Sequence, residues 1–224
     1  MPTPSDASRL HAASCACGAT HVSRRAFLRG GAALAAGLAA PQLWAQPTPQ
    51  AGIRSLRGLV RINGEKAGSR TPVKVGDTVL TGANGNVSFV VGSDAFFLRE
   101  NSELKIAGAG SLIDSLRMVS GALGAVFGKR ATDSLQLHTP TVTAGIRGTG
   151  CYAEVLGEGT YFCTCFGSIE LQSQGSQQLV EATRHNARSV PRGGVIQNAS
   201  MMGHTDQEMD ALERLVGRRA PWAT

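Results

Sequence analysis

Beyond its first 45 residues, this 224-residue chain has no apolar stretch approaching the roughly 20 residues that a membrane-spanning helix needs. Residues 46–224 are therefore expected to form a water-soluble body. A serine–histidine–acid order, a spaced pair of acidic residues and a His-Glu-x-x-His helix are also missing, and with them the commonest hydrolytic constellations. The chain is expected not to be an enzyme. Excess charge is small: 22 Lys and Arg against 16 Asp and Glu give +6. Four of those basic residues and one acidic residue fall in 1–45, which leaves +3 on the remainder, scattered along the chain. That distribution excludes nucleic acid as the expected partner. Cysteine is scarce as well. Of five, only Cys151, Cys163 and Cys165 lie beyond residue 45, an odd number that cannot pair off completely.

The N-terminal segment contains "SRRAFLRGGAALAAGLAAPQLWAQ", in which Arg24 and Arg25 precede a run of Ala, Leu and Gly. A charged start, a short apolar run and a small residue at the cut define an export signal, and paired arginines point to the twin-arginine route. Cleavage is expected after Ala45, although Leu43 is larger than the small residue preferred there. The product is expected in the bacterial periplasm. Cys15 and Cys17 precede the arginine pair, so they do not form a lipobox, and they are read as part of the leader despite His11 and His21 nearby. Removing 45 of 224 residues leaves 179, enough for one domain with a core.

Residues 46–52 read as a linker and 53–175 as strands and turns. Apolar runs of four to six residues recur about every ten, separated by Gly, Asn, Asp and Ser. Val87, Phe89 and Val91 alternate with Ser88 and Val90, which sends one face inward. The 28 glycines suit tight turns, and "RINGEK" offers an Asn-Gly hairpin turn. The expected fold is all-β, a β-sandwich or a small β-solenoid, with one C-terminal helix.

The succession "VGDTVLTG" (Val75–Gly82), Ser120-Gly121-Ala122, Thr139-Pro140 and "GIRGTG" (Gly145–Gly150) resembles the FecR-like domain, the periplasmic module of the ferric-citrate regulator family. The resemblance covers about residues 56–172. It implies an all-β periplasmic domain that binds or senses rather than catalyses. Those regulators also carry a cytoplasmic anti-sigma segment and one membrane-spanning helix. The short leader here leaves no room for that segment, so the transmembrane signalling role is not carried over. The expected partner is a periplasmic or envelope protein or a small ligand.

"GIRGTG" also invites a phosphate-loop reading, but the strand-like "CYAEV" follows it where a helix should start. Its glycines are read as turn residues and Arg147 as a loop arginine. "CYAEVLGEGTYFCTCFG" reads as a hairpin. With Gly157-Glu158-Gly159 as the turn, Cys151 faces Cys165, and Cys163 shares their face. A slip of one residue would move Cys151 away. Three readings stay open: a disulfide from Cys151 to Cys163 or Cys165, taken first in an oxidising compartment; a soft-metal site on the three thiols, with His138 or His185 as a fourth ligand; and plain packing. The function expected first is a non-catalytic binding, sensing or scaffold module, and the alternative is a periplasmic thiol-redox or metal-handling protein that uses the Cys151, Cys163 and Cys165 face. No cofactor is otherwise expected.

From residue 176 the composition changes. After an irregular basic stretch, "HTDQEMDALERLVGRRAPW" predicts a helix at about 205–217. Thr205 and Glu208 form a capping box, Met209, Leu212, Leu215 and Val216 line one face, and Gly217 stops it. That face is expected to pack on the chain's own β-domain, with docking of a partner through Leu212 and Leu215 as the alternative.

Overall fold

The computed structural model describes residues 50–130 and 135–223. The expected leader, with Arg24, Arg25 and the expected cut after Ala45, lies outside the described residues. The strands in order are β1 (Gly52–Arg57), β2 (Val60–Ile62), β3 (Glu65–Lys66), β4 (Thr78–Thr81), β5 (Asn86–Val91), β6 (Asp94–Leu98) and β7 (Glu103–Ala109). They continue with β8 (Leu112–Val126), β9 (Leu135–His138), β10 (Thr143–Leu156), β11 (Gly159–Gln172), β12 (Gln177–Ala182), β13 (Asn186–Pro191) and β14 (Gln197–Ala199). One helix, α1 (Asp206–Leu215), closes the described chain. The fold is all-β with a C-terminal helix, as the spacing of the apolar runs predicts.

Local chemistry accounts for the first hairpin. Asn63 and Gly64 both take positive φ, 52° and 87°, the backbone that a two-residue turn between β2 and β3 requires. The long strands β8, β10 and β11 organise the rest, because each changes partners along its length. The first part of β10 pairs with β9 and its second part with β8. In the same way β11 pairs with β13 and then with β12. The sheet thus divides into two branches, and one continuous core takes side chains from both. Phe89, Phe96, Leu123 and Phe162 come from one branch, and Leu104, Leu116, Leu137 and Ile146 from the other. Among the described residues only β8 and β9 pair in parallel. Stacked parallel coils of a solenoid are therefore not what forms; the two branches enclose the core in the manner of a sandwich.

"GIRGTG" lies inside β10 rather than in a connecting loop, which corrects the reading of its glycines and of Arg147. The stretch forms a β-bulge: the register shifts between Arg147 and Gly150 and again before Cys151, with Gly148 at φ 54°. A Cβ on Gly150 would stand 2.3 Å from the Phe166 ring, so the close crossing there needs glycine.

A second, smaller cluster lies on the outer side of the sheet. Val90, Ala95, Val126, Tyr152 and Tyr161 meet Met209, Leu212 and Val216 of the C-terminal segment. Thr205 caps α1 by accepting from the Glu208 N–H, and the Glu208 carboxylate accepts in return from the Thr205 N–H. Gly217, at φ 71°, follows the Val216 cap and stops the helix. Leu212 is buried and Leu215 half-buried. Replacing Leu212 with Asp should therefore cost at least about 2–5 kcal/mol, the range for emptying a large apolar site, with charge burial adding to it. A thermal melt measures this, and an unchanged midpoint would mean that α1 does not dock on the sheet. No helix among the described residues is long and apolar enough to cross a membrane.

Candidate metal centre

The turn between β10 and β11 contains two residues, Gly157 and Glu158, since Leu156 pairs with Gly159. The three-residue turn expected from sequence is thereby corrected, and with it the register. Cys163 stands opposite Tyr152, while Cys151 stands opposite Thr164 and, on its other side, Ala125. Alternation does the rest. Cys151 enters the inner core with Phe162 and Leu123, whereas Cys163 and Cys165 emerge in the outer cluster. The sheet separates the expected trio, and all three cysteines are free thiols. Burial pushes the Cys151 thiol well up, as expected of an inert core residue.

The two outer cysteines meet two histidines instead. His185 lies in the short connection from β12 to β13, and its backbone N–H donates to the Cys165 carbonyl at 2.9 Å. Its φ of 47° is uncommon for a residue with a side chain. His204 comes from the segment between β14 and α1, 39 residues from Cys165, and is buried. Its ring stacks on Tyr152, with centroids 4.6 Å apart and planes 15° apart. His138, the other histidine considered from sequence, bonds Thr143 on the β9–β10 pair and takes no part.

The hydrogen bonds fix which nitrogens are free. His204 Nδ1 is 2.8 Å from the Met202 carbonyl oxygen, which can only accept, so Nδ1 carries the hydrogen and Nε2 presents a lone pair. His185 Nε2 donates to Asp206 Oδ1 at 2.5 Å, so Nδ1 is the free nitrogen of that ring. Each imidazole is thus oriented by an oxygen behind it, the arrangement that metal-ligating histidines use. Asp206 is held below the usual carboxylate range, first by this His185 bond and then by Arg184.

The free donors converge. His204 Nε2 is 3.2 Å from Cys165 Sγ and 3.2 Å from His185 Nδ1, and His185 Nδ1 is 3.7 Å from Cys163 Sγ. All four donor atoms lie within 4.8 Å of one another. A tetrahedral zinc ion, with Zn–S near 2.3 Å and Zn–N near 2.0–2.1 Å, spaces its ligand atoms by about 3.3–3.8 Å. The observed contacts fall around that spacing. Two imidazole lone pairs facing each other at 3.2 Å repel unless a cation or proton lies between them. The thiols respond to the same crowding. A hydrogen bond from Cys165 pulls Cys163 down towards the thiolate, while burial and that neighbouring charge push Cys165 up.

Sequence reading found Cys163, Cys165 and His185 but missed His204 and Asp206. The only signal was positional: both flank the capping residue Thr205, in "GHTD".

No family model and no curated protein matches this chain. The FecR-like resemblance therefore rests on the quoted motifs alone. Among solved structures, a crystal structure at 1.65 Å described as a "putative anti-sigma factor" from Parabacteroides distasonis ATCC 8503 is similar, with a TM-score of 0.47 and 9% identity over 55% of this chain and 58% of that one. A second from the same organism, at 2.50 Å and described in the same words, gives 0.43 and 12% over 63% and 60%. The chain thus matches less than two thirds of the length of either.

Proposed function

We propose that this protein is an exported, non-catalytic sensing or binding module of the FecR-like kind, and that its ligand includes a tetrahedral transition-metal ion, zinc first, held by Cys163, Cys165, His185 and His204. The observation that carries the metal reading is the convergence of two sulfurs and two free imidazole nitrogens at tetrahedral spacing. Two thiolates and two imidazoles favour zinc-type ions over hard, oxygen-seeking cations. Four protein donors fill the coordination shell and leave no position for water or substrate, which supports a structural or sensory role over a catalytic one. Periplasmic residence is supported by the leader with Arg24 and Arg25, and an all-β binding domain agrees with the resemblance.

Titration of the metal-free protein with Co(II) tests this reading. One equivalent should produce the visible bands of a tetrahedral site and a near-ultraviolet sulfur-to-metal band, and Zn(II) should displace it. Asp206→Asn should keep one-to-one binding but weaken it about 10–100-fold, since the residue orients His185 without touching the ion. Absence of the tetrahedral cobalt spectrum in the unaltered protein would refute the site.

A further inference from the structure

The donors of this site do not belong to one part of the fold. Cys163 and Cys165 are on β11, and His185 is one residue before β13, so three donors are fixed to the sheet. The fourth, His204, and the carboxylate that orients His185, Asp206, lie on either side of the α1 capping residue. The site is incomplete without the C-terminal segment. Trp222, near the other end of that segment, packs 5.3 Å from the His185 ring and 5.5 Å from Phe166. The segment thus supplies a donor to the site at one end and covers it with an indole at the other.

Other contacts also hold the segment: a narrow apolar face and a few polar contacts to the sheet. Arg99 donates to the Gly203 carbonyl oxygen at 2.7 Å and to Glu208 at 2.9 Å. Tyr161 Oη accepts from the Met202 N–H, Arg218 donates to the Ser93 carbonyl oxygen, and Arg184 pairs with Asp206. The buried apolar residues of α1 itself are Met209 and Leu212. A ten-residue helix is too short to be stable alone, so α1 exists because it is docked. Docking without a metal sets the His204 and His185 ring nitrogens 3.2 Å apart, where only a shared proton relieves the repulsion of their lone pairs. A metal ion among the four donors replaces that contact with four bonds.

We infer that residues 200–222 form a clasp closed by the metal: ion binding at Cys163, Cys165, His185 and His204 and docking of α1 on the outer face of the sheet are one coupled equilibrium. This rests on the metal reading above. Coupling is reciprocal, so whatever undocks α1 weakens the ion's hold, and loss of the ion frees the helix. The regulated surface is then the outer face around Tyr152 and Tyr161, covered when metal is bound and bared when it leaves.

Hydrogen exchange of the α1 amides in the full chain tests the clasp, comparing metal-free protein with protein in Zn(II) at 100 times the dissociation constant. If opening releases the ion, exchange at Met209–Leu215 should slow by a factor approaching about 100. Amides of β7 on the other branch should change far less. His204→Ala should remove most of this metal-dependent slowing while leaving a weaker ion on the three sheet donors. Should that variant fold poorly, Asp206→Asn provides a second test, with the four donors intact and a smaller slowing expected. A tetrahedral cobalt spectrum together with equal α1 exchange in the presence and absence of Zn(II) would overturn the clasp and leave the metal site standing. Failure to bind Co(II) at all would overturn both.

Discussion

Replacing Cys163 and Cys165 together with serine is expected to abolish stoichiometric zinc binding and to remove the metal's contribution to thermal stability. Serine keeps the side-chain size, but its hydroxyl stays protonated and is a poor ligand for a borderline-soft ion. The loss should be large because an ion that binds only the folded state stabilises it by about 4.1 kcal/mol at 1,000 times its dissociation constant. For a domain of this size each kcal/mol moves the midpoint by about 2–4 °C, so zinc should raise the unaltered protein by about 8–16 °C and the double variant by almost nothing. The described chain has a large inner core that does not involve these thiols, so the variant should still fold and melt cooperatively. Cys151→Ala is the informative control. Its side chain lies in that inner core, on the other face of the sheet, so the variant should melt lower through a lost core contact yet keep its full complement of zinc. Zinc retained by the double-serine variant would refute the site, whereas zinc lost from Cys151→Ala would point back to the trio first expected from sequence.

Replacing Arg24 and Arg25 with lysine should trap the precursor in the cytoplasm. The pair precedes the apolar run of the leader and is the only feature that distinguishes the twin-arginine route from general export. That route carries folded proteins, so a metal could be loaded before export. Cell fractionation, with a mass of the mature N-terminus, gives the readout: the unaltered protein should begin at Gln46 in the periplasm, and the double-lysine variant should keep its leader inside. Undiminished periplasmic delivery of the variant would sink the assignment.

What the sequence by itself determined is local. Short apolar runs punctuated by glycine and asparagine are enough to make this chain all-β, because strand period and turn chemistry act within a few residues. Thr205 and Glu208 place the start of α1 for the same reason, since the capping box closes within one turn. Period-two alternation likewise puts Cys163 and Cys165 on one face, whatever lies beside them. Only the tertiary structure decided what that face meets. A two-residue turn at Gly157 and Glu158 in place of three turned Cys151 into the inner core, because one residue of register reverses every side chain on a strand. Nothing in the local sequence separates the two turn lengths strongly enough to tell. His204 reaches Cys165 across 39 residues of chain, through a path set by the packing of Met209 and Leu212 on the outer face. Such a contact depends on how whole elements stack, and no periodicity encodes it, so the fourth donor of the site became visible only when the helix was seated on the sheet.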